Sequence, residues 1–186
     1  MAAAPAEASS SSPPARPKLV VFDLDACIWS PEMYELWGGG APFTYDAAAN
    51  TCTDSNGVVV RLLGAIPEVF DEIRAWGGQI AIASRTDEPS WAREILNKFR
   101  TRSGETLMAC VAPKLDELYK KNKTTHLGQI WAKSGIDYAD MIFFDDDPRN
   151  ISDVSGLDVL SILTPQGVTR EVFDQGLAAF AKRKAP

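Results

Sequence analysis

Short, uninterrupted apolar runs that alternate with stretches of helical spacing limit what this chain can fold into. Five runs, 18–25 (KLVVFDLD), 79–83 (QIAIA), 106–112 (TLMACVA), 140–144 (DMIFF) and 157–163 (LDVLSIL), have the length and continuity of strands buried on both faces. Helical spacing fills 67–76, 88–100, 124–133, 148–154 and 169–182. Pro67 suits a first helical turn, and Gly77-Gly78 stops the same segment. The alternation predicts a single α/β domain over 18–186, with a mainly parallel sheet and helices on both faces. In sheets of this kind the working groups gather beyond the carboxyl ends of the strands.

One segment, 26–63, breaks the rhythm. It holds Gly38-Gly39-Gly40, scattered aromatic residues and a turn signal at Asp54-Ser55-Asn56-Gly57. With 43–46 and 58–63 on either side, the turn predicts a small β-hairpin flap beside the sheet, too small for a second domain. Neither 26–83 nor 86–122 leaves room for a large cap, so the sheet edge is expected to be open. Residues 1–17 are mostly Ala, Ser and Pro, which predicts a disordered tail, and they lack the apolar core of a signal peptide.

Composition narrows the partners. Nineteen basic residues against 25 acidic give a net charge of −6, a field that repels nucleic acid and anionic lipid surfaces. No apolar run approaches the ~18 residues of a membrane span. Cys27, Cys52 and Cys110 are widely spaced and form no CxxC, which points to a reducing, cytoplasmic setting. A monomer is expected.

The chemistry-bearing residues cluster at run ends. Asp23-Leu24-Asp25 closes the first run; alternation puts both carboxylates on one side and Leu24 on the other. Two like charges that close are costly unless a cation joins them or one is protonated, although an Asp at a strand end also serves as a simple turn cap. Ser84-Arg85-Thr86 closes the second run and offers a hydroxyl and free N–H groups to an anion, or merely a helix N-cap. Asp145-Asp146-Asp147 follows MIFF. A hard divalent ion such as Mg²⁺ suits that triplet, and so does a solvated acidic turn before Pro148. Lys123 stands at a helix start, where a cation opposes the helix dipole. Lys114, Lys120 and Lys121 lie beside it, and spacing does not choose among the four. Together these groups are the parts that phosphoryl transfer to a carboxylate requires. A metal and a lysine neutralise the repulsion between nucleophile and phosphate, and a second acid moves the proton.

FDLDACIW, ASRTDE, NKTTH and FFDDDPRN resemble the four signature motifs of the haloacid dehalogenase-like phosphatases, and most of all the eukaryotic magnesium-dependent phosphatase group. The likeness covers about 17–182. It implies a Rossmann-like three-layer sandwich, Mg²⁺ as cofactor and phosphomonoester hydrolysis through an aspartyl-phosphate. By motif, Asp23 would be nucleophile and metal ligand, Asp25 the general acid/base and a ligand through its main-chain carbonyl. Asp146 would be the other ligand and Asp145 a supporting acid behind it. Leu24, Ser84, Arg85 and Lys123 would contact the phosphoryl group or substrate, and the K-x-T-H pattern selects Lys123, leaving 114–122 as an extra insertion. Phosphorylated small molecules or protein side chains would be the partners, with aryl phosphates and phosphorylated sugar adducts as candidates. The chain departs from the family at Ala26-Cys27, where an aromatic and Thr are usual, and at Asp147, where Glu is common. A phospho-acceptor signalling module and a catalytically silent phosphate-binding protein are the alternatives. A dehalogenase fits Asp25 and the acid triplet less well.

Three further readings concern single residues. Cys27 reads as packing, because neighbouring carboxylates raise a thiol pKa. His126, the lone histidine, reads as a helix-surface or packing residue. Trp29, Tyr34, Trp37, Phe43 and Tyr45 read either as one wall of a substrate cleft or as packing of an irregular segment.

Overall fold

A computed structural model gives the structure of the protein and describes residues 14–185. Most of the expected tail, 1–13, lies outside the described residues; of its remainder, Pro17 is buried and Arg16 lies over the Trp76 ring.

Five parallel strands form the main sheet in the order β7 (Asp116–Leu118), β6 (Gln79–Ser84), β1 (Leu19–Phe22), β8 (Met141–Asp145) and β9 (Leu160–Leu163). Every residue of β1 is fully buried, as a strand between two layers must be. Its alternation serves two cores. Val20 and Phe22, with Ile80, Ile82, Ile142 and Phe144, face α1 (Ile66–Ala75), α2 (Pro89–Leu96) and α6 (Arg170–Lys184). Leu19 and Val21, with Ala81, Ala83, Met141 and Phe143, face α4 (Lys123–Ser134) and α5 (Pro148–Ser155). The result is the expected three-layer α/β sandwich. Phe22 anchors the first core, with ring centroids 5.3 Å from Phe70 and 5.4 Å from Phe144. No helix among the described residues is long and apolar enough to cross a membrane.

Three expectations fail. The apolar run 106–112 is not a strand but a short helix, α3 (Leu107–Cys110), started by the Thr106 side chain, which accepts from Ala109 N at 3.0 Å. Leu107 and Cys110, one turn apart, supply its buried face; continuous apolarity cannot distinguish a buried helical turn from a buried strand. The strand is β7, paired Ala83↔Glu117, so 114–122 is no insertion but contains the sheet edge. An edge strand needs less apolar sequence, and DEL gives little signal.

The flap is also larger than a hairpin. β2 (Trp29–Ser30), β5 (Val59–Leu62), β4 (Thr51–Thr53) and β3 (Thr44–Asp46) form a four-stranded antiparallel sheet in that order. The turn at 54–57 therefore joins β4 to β5, and 43–46 pairs with Thr51–Thr53 rather than with 58–63. β4 escaped notice because Thr-Cys-Thr is short and polar and buries only Cys52.

Candidate active site

Pairing in register brings three strand ends together. Phe22 is opposite Ile82 on one side and Phe144 on the other, so Asp23 emerges level with Ala83 and Asp145, and Ser84 follows one residue beyond. Asp23 N still donates to Phe144 O at 3.0 Å, which fixes the first acid against β8. The chain reaches β6 and β7 on one side of β1 before crossing to β8 and β9 on the other. That reversal leaves a crevice at the carboxyl ends.

Lys123 enters this crevice from the first residue of α4, and it alone of the four lysines is buried. Its Nζ lies 2.5 Å from Asp23 Oδ1, 3.1 Å from Asp145 Oδ2 and 2.5 Å from the Ala83 carbonyl it donates to. Burial is the largest single influence and pushes the ammonium pKa down, but the charges and hydrogen bonds of Asp23 and Asp145 together outweigh it, and it ends above the ordinary lysine value. Asn122, accepting from Thr125 N at 2.9 Å, caps the helix that the lysine charge opposes. Lys120 borders the cavity at the surface and pairs with Asp87 at 3.4 Å; Lys114 and Lys121 are exposed outside it.

Asp23, Asp145 and Asp146 each present a carboxylate oxygen within 4.8 Å of the others. Three acids thus face one ammonium. Burial and then neighbouring negative charge raise both Asp145 and Asp146 above the usual carboxylate range. A hard divalent cation fits this set of oxygen donors and would relieve that crowding. Asp145 is the least available of the three. Its Oδ1 accepts from Asp147 N (2.8 Å) and Asn150 Nδ2 (2.9 Å), and its Oδ2 from Lys123 and again Asn150 (3.1 Å). With both oxygens occupied, Asp145 is suited to holding Lys123 in place.

Asp25 differs. Its Oδ1 accepts from Trp29 Nε1 at 2.8 Å and Met33 N at 3.1 Å, away from the three-acid cluster. Burial outweighs both hydrogen bonds and pushes it up to about 6. The Leu24 side chain is buried in the core, so only its main chain is left to serve the site. Ser84 is buried, its Oγ accepting from Thr86 N at 3.3 Å, while Arg85 is exposed. Asp23, Asp25, Ser84, Arg85 and Asp146 all border one cavity of about 320 Å³. A larger cleft, about 550 Å³, runs between the small sheet and α1 and contains none of them.

The sequence did not single out Trp29 as a donor to Asp25, nor Asn150 as the brace of Asp145. Asn150 was discoverable: a polar residue on the inward face of α5, in the turn after the acids, has few other tasks. Glu32 and Thr86 on the cavity wall gave no such signal. Cys27 packs as expected, donating to Phe144 O and accepting from Thr164 Oγ1, both at 3.5 Å. Burial and then the Asp23 charge hold its thiol well above the ordinary value. His126 is buried rather than on the helix surface, with Nε2 2.9 Å from the Tyr119 carbonyl.

The family model described as acid phosphatase matches residues 15–183. Magnesium-dependent phosphatase 1 of Homo sapiens is 37% identical over 169 residues, covering 89% of this chain and 88% of that protein. HAD-like hydrolase superfamily protein P8B7.31 of Schizosaccharomyces pombe is 31% identical over 139 residues, covering 72% of this chain and 78% of that protein. Among solved structures, the cobalt-bound deoxy-D-mannose-octulosonate 8-phosphate phosphatase of Haemophilus influenzae shares the fold. Its TM-score is 0.55 at 16% identity, covering 91% of this chain and 90% of that one. The resemblance read from the four motifs is borne out: the chain belongs to the acid phosphatase family, within the HAD-like hydrolase superfamily, and is a phosphatase.

Proposed function

We propose that the protein hydrolyses phosphate monoesters through a phospho-aspartate on Asp23, with Mg²⁺ as cofactor. The observation that carries this reading is the meeting of Asp23 and Asp146 at one cavity that Asp25 also borders, with the buried Lys123 paired to Asp23. An Asp23 oxygen attacks phosphorus as the bond to the leaving oxygen breaks. Asp25, pushed up to about 6, is poised to hand that oxygen a proton. Asp25 then takes a proton from water, whose oxygen attacks phosphorus, and phosphate leaves as Asp23 is restored. Asp23, Asp146 and the Asp25 main-chain carbonyl would hold Mg²⁺, which when bound supplies positive charge to the phosphoryl oxygens. Lys123 adds its fixed charge, and Ser84, Arg85 and the Leu24 main chain bind phosphoryl oxygens.

The open cavity admits phosphorylated small molecules or protein side chains, with aryl phosphates and phosphorylated sugar adducts as candidates. Three free, buried cysteines support a cytoplasmic setting, and the protein is read as a monomer. The test is phosphate release from p-nitrophenyl phosphate. Many turnovers with Mg²⁺, reversible loss in EDTA and no turnover in Asp23→Asn are expected. Wild-type turnover in Asp23→Asn would overturn the assignment, and one trapped phosphoryl group per chain would instead indicate a signalling module.

A further inference from the structure

A second cavity, about 250 Å³, adjoins the acidic one, and the two share Tyr34 and Asp87 as walls. Its character is different. Met33, Leu36 and Trp91 form an apolar floor, and Tyr34 and Trp37 stand at the rim with 54% and 83% of their surface exposed. Trp91 is fixed beneath the flap: Phe43 meets it edge-on, with centroids 6.5 Å apart, and any Cβ at Gly40 would overlap its ring. Trp37 therefore lines the same cavity as a ring held in place from the flap side.

The position of this shelf relative to the chemistry gives it meaning. The helical turn Met33–Glu35, which carries Tyr34, hangs from Asp25 through the Met33 N–H bond of 3.1 Å. Asp25 protonates the departing oxygen, so the departing group leaves the acidic cavity on Asp25's side, where Tyr34 and Trp37 stand. Charge adds a second constraint. Asp87, which pairs with Lys120 on the acidic side, and Glu88 line the aromatic cavity, Glu32 lines the adjoining acidic one, and no Lys or Arg lines the aromatic cavity among the described residues.

Resting on the phosphatase reading above, we infer that this shelf is the leaving-group subsite, with Tyr34 and Trp37 as specificity-determining residues. It takes a ring or other flat apolar group with no second negative charge next to the scissile ester. The aromatic faces supply stacking area at low entropic cost. The acids repel a carboxylate or second phosphate that the floor would otherwise accept.

Phosphonates separate recognition from chemistry. With Mg²⁺ present, wild type should bind phenylphosphonate about five- to tenfold more tightly than methylphosphonate, the range expected of one aromatic stacking contact. In Trp37→Ala with Tyr34→Ala, most of that preference should vanish while methylphosphonate binding moves less than about twofold. Both side chains are exposed, so the variant keeps its core, and an unchanged melting temperature verifies this. Wild type should also reject 4-carboxyphenylphosphonate relative to phenylphosphonate, and Asp87→Asn with Glu88→Gln should relax that rejection. Equal binding of the phenyl and methyl compounds by wild type, or a preference that survives in the aromatic variant, would overturn the inference while p-nitrophenyl phosphate is still hydrolysed. Loss of that hydrolysis in wild type would instead sink the phosphatase reading and the inference with it.

Discussion

Lys123 Nζ lies 2.5 Å from Asp23 Oδ1 in the interior, with almost none of the lysine side chain reaching solvent. The same nitrogen is 3.1 Å from Asp145 Oδ2, so one cation neutralises acids from two neighbouring strand ends. Removing one partner of a buried pair leaves uncompensated charge, typically at a cost of about 3–5 kcal/mol. Lys123→Met should lower the free energy of urea unfolding by about 3 kcal/mol. Because a divalent ion relieves the same repulsion, Mg²⁺ should recover more stability in the variant than it adds to wild type. Equal Mg²⁺ effects on both would show that the acids do not share the cation.

The pH dependence of turnover should report Asp25. Burial raises this acid to about 6, and the Trp29 N–H bond opposes the rise by favouring the carboxylate. The transfer step needs the protonated form, so kcat/KM should fall as pH rises through about 6. Trp29→Phe removes a donor to the ionised form. The alkaline limb should then move to higher pH, read from pH–rate profiles with p-nitrophenyl phosphate. A shift to lower pH would contradict Asp25 as the proton donor.

His126 makes a separate prediction about stability. It is buried, and burial pulls its pKa down to about 4, against about 6.5 in an unfolded chain. Its Nε2–H donates to the Tyr119 carbonyl, while Nδ1 has no partner among the described residues to hold a second proton. The unfolded state therefore binds a proton that the folded state refuses. Stability from this residue is complete above about pH 6.5 and is lost as pH falls through about 4, at most about 3 kcal/mol. His126→Gln keeps an N–H donor but does not titrate. Its urea midpoint should decline less than that of wild type between neutral pH and pH 4.5, and parallel declines would assign the acid sensitivity to other groups.

The parts of the fold legible in the sequence are those where one physical demand dominates. A strand buried on both faces must be continuously apolar, so KLVVF, QIAIA and MIFF marked β1, β6 and β8, and with them the three strand ends that build the site. Where demands compete, the sequence misleads. TLMAC could bury itself as strand or as helical turn, and the capping hydroxyl of Thr106 decided for the helix. β7 and β4 are short, partly polar strands whose identity comes from their neighbours. The same division holds at the site. The acids and Lys123 carry the chemistry and stand out as charges in apolar surroundings. Trp29, Met33 and Asn150 act on those acids through hydrogen bonds that only the folded chain creates.

Asn150 offers the sharpest test of how the acid cluster is held together. Its amide nitrogen spans both oxygens of Asp145, at 2.9 and 3.1 Å, and so sets the plane in which Oδ2 meets Lys123. Asn150→Leu keeps the volume and removes the donor. Asp145, fully buried, then loses a hydrogen bond to its charged form. The loss should cost about 1–3 kcal/mol in urea unfolding and raise the acid's pKa further. With Asp145 more often protonated, Lys123 loses a tether. Asp23 and Asp146 are then held less well in the arrangement that suits a cation, and removal of such a supporting group typically weakens metal binding about 10- to 100-fold. The expected result is a higher Mg²⁺ concentration for half-maximal p-nitrophenyl phosphate hydrolysis, with much of the rate restored at saturating Mg²⁺. An unchanged Mg²⁺ requirement, alongside the loss of stability, would mean that Asn150 supports the fold without positioning the acids that bind the ion.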